Sequence, residues 1–174
     1  MLPKRKSIRL RAYDYTRAGV YFVTLCTHDR KAMFGEIRDG MMHANTVGEI
    51  IVEEWFRSKE IRVEIELDEF VLMPNHIHGL VVIIAVGAHG DAPASDLPLL
   101  HRSPQSLASF IAGFKRASAK RINILHGTPG NPVWQRNYFE RVICNEDGLN
   151  KAREYIINNP LRWELDRENP DRIK

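Results

Sequence analysis

Apolar and polar positions along the chain follow two periods, one of strands and one of helices. Residues 20–27 (VYFVTLCT) form an aromatic and β-branched run that predicts a buried strand, and His28-Asp29-Arg30 predicts a turn after it. A second strand is expected from Ala32 to Met42, interrupted near Asp39-Gly40. Thr46-Val47-Gly48-Glu49 reads as a capping box, opening a helix to about Arg57 with Val47, Ile50, Ile51 and Trp55 on one face. From 62 to 72, Val63, Ile65 and Leu67 alternate with Glu64, Glu66 and Asp68, the pattern of a half-exposed strand. Pro74-Asn75 turns the chain, and residues 76–86 return as the second arm of a hairpin. Residues 87–104, rich in Gly, Ala and Pro and without periodicity, read as a surface loop. Leu107, Phe110, Ile111, Phe114, Ile122 and Leu125 make the apolar stripe of a helix over 106–125. A last helix is expected from Glu146 to Asn158, capped by Asn145 and stopped by Pro160. The order strand-strand-helix-strand-strand-helix-helix predicts an α+β fold, with one antiparallel sheet and helices packed on it.

Composition narrows the picture in three places. A chain of 174 residues fits a single domain, 1–174, with a basic arm at 1–15. The net charge of +3 is too small to imply nucleic acid by itself, but Lys4, Arg5, Lys6, Arg9 and Arg11 precede the first acid, Asp14. That arm suits phosphate contacts and equally suits a solvated tail. Cys26 and Cys144 lie in apolar contexts outside any C-x-x-C motif, as free buried thiols of a reducing compartment do. The basic N-terminus lacks the apolar core of a secretory signal, and the longest apolar run, Leu80 to Val86, is too short for a bilayer. A cytoplasmic protein without a membrane partner is expected.

The candidate chemistry starts at His76-Ile77-His78. On a strand, residues two apart share a face, so both imidazoles stand side by side and could hold one divalent ion with open coordination positions. They could also be two polar positions on a strand face. Tyr155 and Asn159 lie four apart at the end of the last helix. A carboxamide oxygen suits Mg²⁺ or Mn²⁺, and a phenolate is a competent nucleophile. The spacing of Ala152, Tyr155, Ile156 and Asn159 is also that of a core-facing stripe, and spacing alone favours that reading. In Trp134-Gln135-Arg136-Asn137-Tyr138-Phe139-Glu140-Arg141, aromatics interleave with polar groups. The segment suits base stacking and phosphate contacts, or a strand or loop plugging the core. Tyr138 is a rival nucleophile. Lys115, Arg116, Lys120 and Arg121 lie off the apolar stripe of their helix, as a phosphate-gripping cluster or a solvated face.

DEFVLMPNHIHGLVVI, VWQRNYFERVI and NEDGLNKAREYIINNPLRW, with the N-terminal RKSIRLRAYDYTRAGVYFVTLCTHDR, resemble the REP-associated tyrosine transposases, relatives of the IS200/IS605 single-domain transposases. The resemblance covers nearly the whole chain apart from 87–104 and the last few residues. It implies an HUH nuclease fold of ferredoxin-like, RRM-like type: an antiparallel sheet flanked by helices. It implies metal ligation by His76, His78 and Asn159, where insertion-sequence enzymes more often carry Gln in the third place, and a nucleophilic Tyr155. It also implies cleavage and rejoining of single-stranded, hairpin DNA through a 5′-phosphotyrosine, aided by Mg²⁺ or Mn²⁺. The DNA contacts it implies are Lys4, Arg5, Lys6, Arg9, Arg11, Lys115, Arg116, Lys120, Gln135, Arg136, Tyr138 and Arg141. A hairpin-binding protein with little turnover, and a phosphoesterase that activates water, are the alternatives. Monomer and homodimer both remain open.

Overall fold

A computed structural model of the chain describes residues 18–84 and 106–172. The expected arm at 1–15 and loop at 87–104 lie outside the described residues. In chain order the elements are β1 (Gly19–Cys26), β2 (Gly35–Arg38), β3 (Met41–Ala44), α1 (Thr46–Ile61), β4 (Ile65–Met73), β5 (His76–Ile83), α2 (Leu107–His126), β6 (Phe139–Ile143) and α3 (Glu146–Ile157). Short 3-10 turns occupy His28–Arg30 and Pro160–Leu165.

The alternation of side chains organises the molecule into two faces. The main sheet has four strands in the order β4-β5-β1-β6, each pair antiparallel. On one face Tyr21, Val23, Leu25, Ile77 and Val81 join the apolar stripes of α1 and α2 in the larger core. On the other face Phe22 and Leu80 pack with Ala152 and Ile156 of α3 in a smaller cluster. His76 and His78 belong to this second face, because Ile77 between them is in the larger core. The predicted α+β architecture is that of the chain, and the hairpin expected from strands over 62–72 and 76–86 spans Ile65–Met73 and His76–Ile83.

Several local expectations are corrected. The interrupted strand over 32–42 is a separate two-stranded ribbon, β2-β3. Helix α1 is capped by Asn45, whose side chain accepts from the Gly48 backbone N–H; Thr46 lies already inside the helix. Asparagine offers the same acceptor as Thr one residue earlier, so the cap moves and the helix remains. Residues 139–143 form an edge strand, β6, that the sequence pattern left undecided between strand and loop. Pro160 does not end the helical path. Asn159 keeps helical angles (φ −61°, ψ −43°), and Pro160 takes the first position of the following 3-10 turn, where a missing N–H costs nothing. Cys144 is exposed, against the expectation of a buried thiol, whereas Cys26 is partly buried.

One glycine decides the packing of the larger core. Trp55 is fully buried and lies against β5, where a Cβ on Gly79 would stand 2.5 Å from its ring. Gly79→Ala is expected to lower unfolding stability by about 1–3 kcal/mol in urea titrations, since neither the sheet backbone nor the enclosed indole can retreat. Strain also sits in the turn after β1: Asp29 and Arg30 both have φ of 55°, at a cost of about 1–3 kcal/mol each for residues with a Cβ. The surrounding structure holds that turn, in part through a hydrogen bond of 3.1 Å from the Asn75 carboxamide N–H to the Arg30 carbonyl.

Candidate active site

The histidine pair is set by β5 and oriented by its neighbours. Asn75 is fully buried. Its Nδ2 donates to the carbonyls of Arg30 (3.1 Å) and Glu168 (2.7 Å). Its Oδ1 faces His76 Nδ1 at 2.8 Å. Because carbonyls only accept, Oδ1 must accept too, and neutral His76 carries its proton on Nδ1. Nε2 then has its lone pair free, the tautomer of a metal ligand. His78 Nδ1 lies 2.8 Å from the Thr24 hydroxyl on β1, and its Nε2 is 3.0 Å from that of His76.

The donor set fits a divalent cation. Two ligand atoms at right angles on an ion with bonds of about 2.1 Å stand about 3.0 Å apart, the separation of the two Nε2 atoms. Without a cation, one proton must lie between the two lone pairs. Asp166 joins them: one ligand atom from each of His76, His78 and Asp166 fit within 4.8 Å of one another, and all three residues are buried. This group could bind a metal. Asn159, 2% exposed, donates from Nδ2 to Asp166 Oδ2 at 3.2 Å, while its own Oδ1 is buried without a hydrogen-bond partner. An orphaned buried carboxamide oxygen costs about 1–3 kcal/mol, and a hard cation would satisfy it.

Burial keeps this site neutral. Desolvation pushes His76 down to about 4, against the pull of Asp166 and Glu168, and drives His78 well below the ordinary histidine range. The unfolded chain therefore binds protons that the fold refuses once the pH drops below about 6.5. Metal-free protein should be at full stability above that pH and lose stability progressively towards pH 4. The loss due to His76 alone is on the order of 3 kcal/mol. Thermal unfolding in chelator from pH 7.5 to 4.5 measures it, and His76→Gln should flatten the profile.

Tyr155 reaches the same place from α3. Its ring meets the rings of His78 at 5.2 Å and Phe22 at 5.9 Å between centroids. The residue nonetheless keeps 40% exposure, so its stripe is core-facing at Ala152 and Ile156 and open at the phenol. Desolvation, then the charge of Asp166, raises the phenol above its usual 10.0, and the neighbouring Asn159 carboxamide pulls the other way. Helix α3 is held over the histidines by the apolar cluster and by Arg153. The guanidinium of Arg153 makes two bonds (3.0 and 2.5 Å) to Asp68 in an irregular stretch of β4. His76, His78, Tyr155 and Asn159 thus converge within one chain.

The expected DNA-contact residues divide. Arg141 is exposed on β6 and, opposite Phe22, shares the histidine face. Arg136 is exposed as well. Arg116 and Lys120 are exposed on α2, whose apolar stripe packs on the opposite face of the sheet. Lys115 departs from its expected role. Its ammonium donates to the carbonyls of Gln135 (2.8 Å) and Asn137 (3.1 Å) and lies over the Tyr138 ring, and burial pushes it down to about 8. It ties the 134–138 segment to α2. Arg121 is engaged by Glu53 and Glu54. Tyr138 packs against the larger core, away from the histidines. Lys4, Arg5, Lys6, Arg9 and Arg11 lie outside the described residues. Asp166 and Glu168 escaped the sequence reading: three acids in 164–168, with no apolar stripe beside them, look like a solvated segment.

Among the described residues no helix is long and apolar enough to cross a membrane. No protein-family model matches the chain. An uncharacterised protein of Haemophilus influenzae is 36% identical over 171 residues, 93% of this chain and 91% of that protein. The structure of a REP-associated tyrosine transposase bound to a REP hairpin superposes with a TM-score of 0.57 at 19% identity, over 90% of this chain and 74% of that one. A proposed transposase of Deinococcus radiodurans is more distant, with a TM-score of 0.42 at 20% identity over 87% of this chain and 97% of that one. The chain accordingly belongs to one family with the Haemophilus influenzae protein and has the fold of a REP-associated tyrosine transposase.

Proposed function

We propose that the protein is a transposase-like enzyme that nicks and rejoins single-stranded DNA beside a hairpin, through Tyr155. The observation that carries this reading is the approach of the half-exposed Tyr155 phenol to a buried, neutral histidine pair within a single chain. A fold shared with a REP-associated transposase supports it, and that relative's hairpin makes structured single-stranded DNA the natural substrate to test.

Tyr155 oxygen attacks the scissile phosphorus and forms a 5′-phosphotyrosine, and the P–O3′ bond breaks. The phenolic proton is balanced by the proton gained on the leaving 3′-oxygen. A second 3′-hydroxyl reverses the exchange, so no bond energy is lost to hydrolysis. His76, His78 and Asn159 would hold Mg²⁺ or Mn²⁺, with Asp166 alongside, and the ion would supply Lewis-acid polarisation of the phosphate. Phe22 fixes the tyrosine ring, and Asn75 and Thr24 fix the imidazoles.

Hairpin DNA with a single-stranded flank, incubated with protein and Mn²⁺, is expected to give a protease-sensitive, slow-migrating adduct on a denaturing gel. Cleavage to free ends without any adduct would sink the tyrosine reading, and binding without cleavage would favour a DNA-binding role alone.

A further inference from the structure

We propose that the cleft between the His28–Arg30 turn and the C-terminal segment is a phosphate subsite for the single strand that leads to Tyr155. This deepens the DNA-joining reading and rests on it. The cleft, of about 540 Å³, is walled by Arg30, Arg167, Glu168, Asn169, Pro170 and Arg172. Its lining counts three arginines against one carboxylate. Glu168 is nearly buried and bonds Arg30 at 3.2 Å and Arg167 at 3.0 Å, while both arginines stay at least half exposed. One acid shared between two cations orients them without neutralising them, and Arg172 is exposed and adds to the surplus. Planar, always-charged guanidiniums in such a set suit a phosphodiester.

The position of the cleft links it to the chemistry. Asn75 binds both walls, through the carbonyls of Arg30 and Glu168, and its remaining oxygen orients His76. The cleft rim is therefore a single side chain away from the histidine pair. Arg167 also covers the ring of Phe139 at 5.4 Å, so the positive wall continues onto the face where Phe22 and Tyr155 lie. The strained backbone at Arg30 (φ 55°) is accounted for by the same arrangement, since that turn carries one of the three cations to the cleft.

The test is fluorescence anisotropy of the full chain with a labelled DNA hairpin carrying a short single-stranded flank, in chelator so that nothing is cleaved. Arg167→Ala and Arg172→Ala are expected to weaken flanked-hairpin binding on the order of tenfold. Each should also flatten the slope of log affinity against log salt by about 0.7. A hairpin without the flank should be bound as by wild type. A neutral methylphosphonate at the contacted flank position should reproduce the loss in wild type and add nothing in Arg172→Ala. Arg30→Ala and Arg167→Ala each leave the nearly buried Glu168 with one partner fewer, so both are also made together with Glu168→Gln, with a melting curve to establish folding. Folded variants that keep wild-type affinity and salt slope overturn the subsite, even where the wild type forms the tyrosine adduct. A flank effect in a wild type that forms no adduct supports the subsite and overturns the joining reaction instead.

Discussion

Replacing Tyr155 with phenylalanine is expected to remove the covalent protein–DNA adduct altogether, a loss of at least about 10³-fold, while hairpin binding stays within about twofold. The two outcomes separate because the substitution deletes one oxygen and keeps the ring. The ring contacts with Phe22 and His78 persist, and with them the seating of α3. Tyr155 as a residue is 40% exposed, so losing its hydroxyl should lower the melting temperature only slightly. Tyr138→Phe is the matched control, since Tyr138 packs against the other core and should form adduct at the wild-type rate. If Tyr138→Phe removes the adduct and Tyr155→Phe retains it, the assignment of the nucleophile is wrong.

The second large effect concerns the cation. His76→Ala and His78→Ala should each abolish saturable Mn²⁺ binding, read by electron paramagnetic resonance or calorimetry in the absence of DNA, and with it metal-dependent cleavage. Asn75→Ala should act at one remove. It leaves both imidazoles in place but releases His76 Nδ1, and a loss of 10–100-fold in affinity is typical for such an outer partner. Asp166→Asn separates two roles. If the carboxylate binds the ion, affinity drops steeply. If it serves only to hold the Asn159 amide, affinity changes little. Unchanged Mn²⁺ binding in both histidine variants would remove the metal site from the account.

Much of this was legible from local pattern, and the remainder was not, for physical reasons. The hairpin and the shared face of His76 and His78 followed from period-two alternation, which tertiary packing rarely overturns. Tyr155 and Asn159 were placed a turn apart by helical spacing, but spacing could not say that the sheet face beneath them carried the histidines. Asn45 took the cap from Thr46 because adjacent polar residues compete for the same backbone donors. Strand β6 was obscured because the face it turns towards α3 mixes Phe139, Arg141 and Ile143. Lys115 looked solvent-facing by helical position, and only the 134–138 segment folding over it gave its ammonium carbonyl partners. Asp166 and Glu168 have no apolar stripe beside them, and their burial depends on contacts made at long range.

The dependence of the site on such distant partners has a consequence for how the protein is made. Glu168 bonds Cys26 across 142 positions and Asn75 across 93, and the Arg153–Asp68 pair spans 85. Closing loops of that length is slow relative to forming the hairpin, which joins neighbours in sequence. A nascent chain can build β4 and β5, and so pair its histidines, while the tyrosine and the buried acids are still inside the ribosome. On the proposed reading, a chain without α3 and the segment after it would carry paired histidines but neither the nucleophile nor the buried acids.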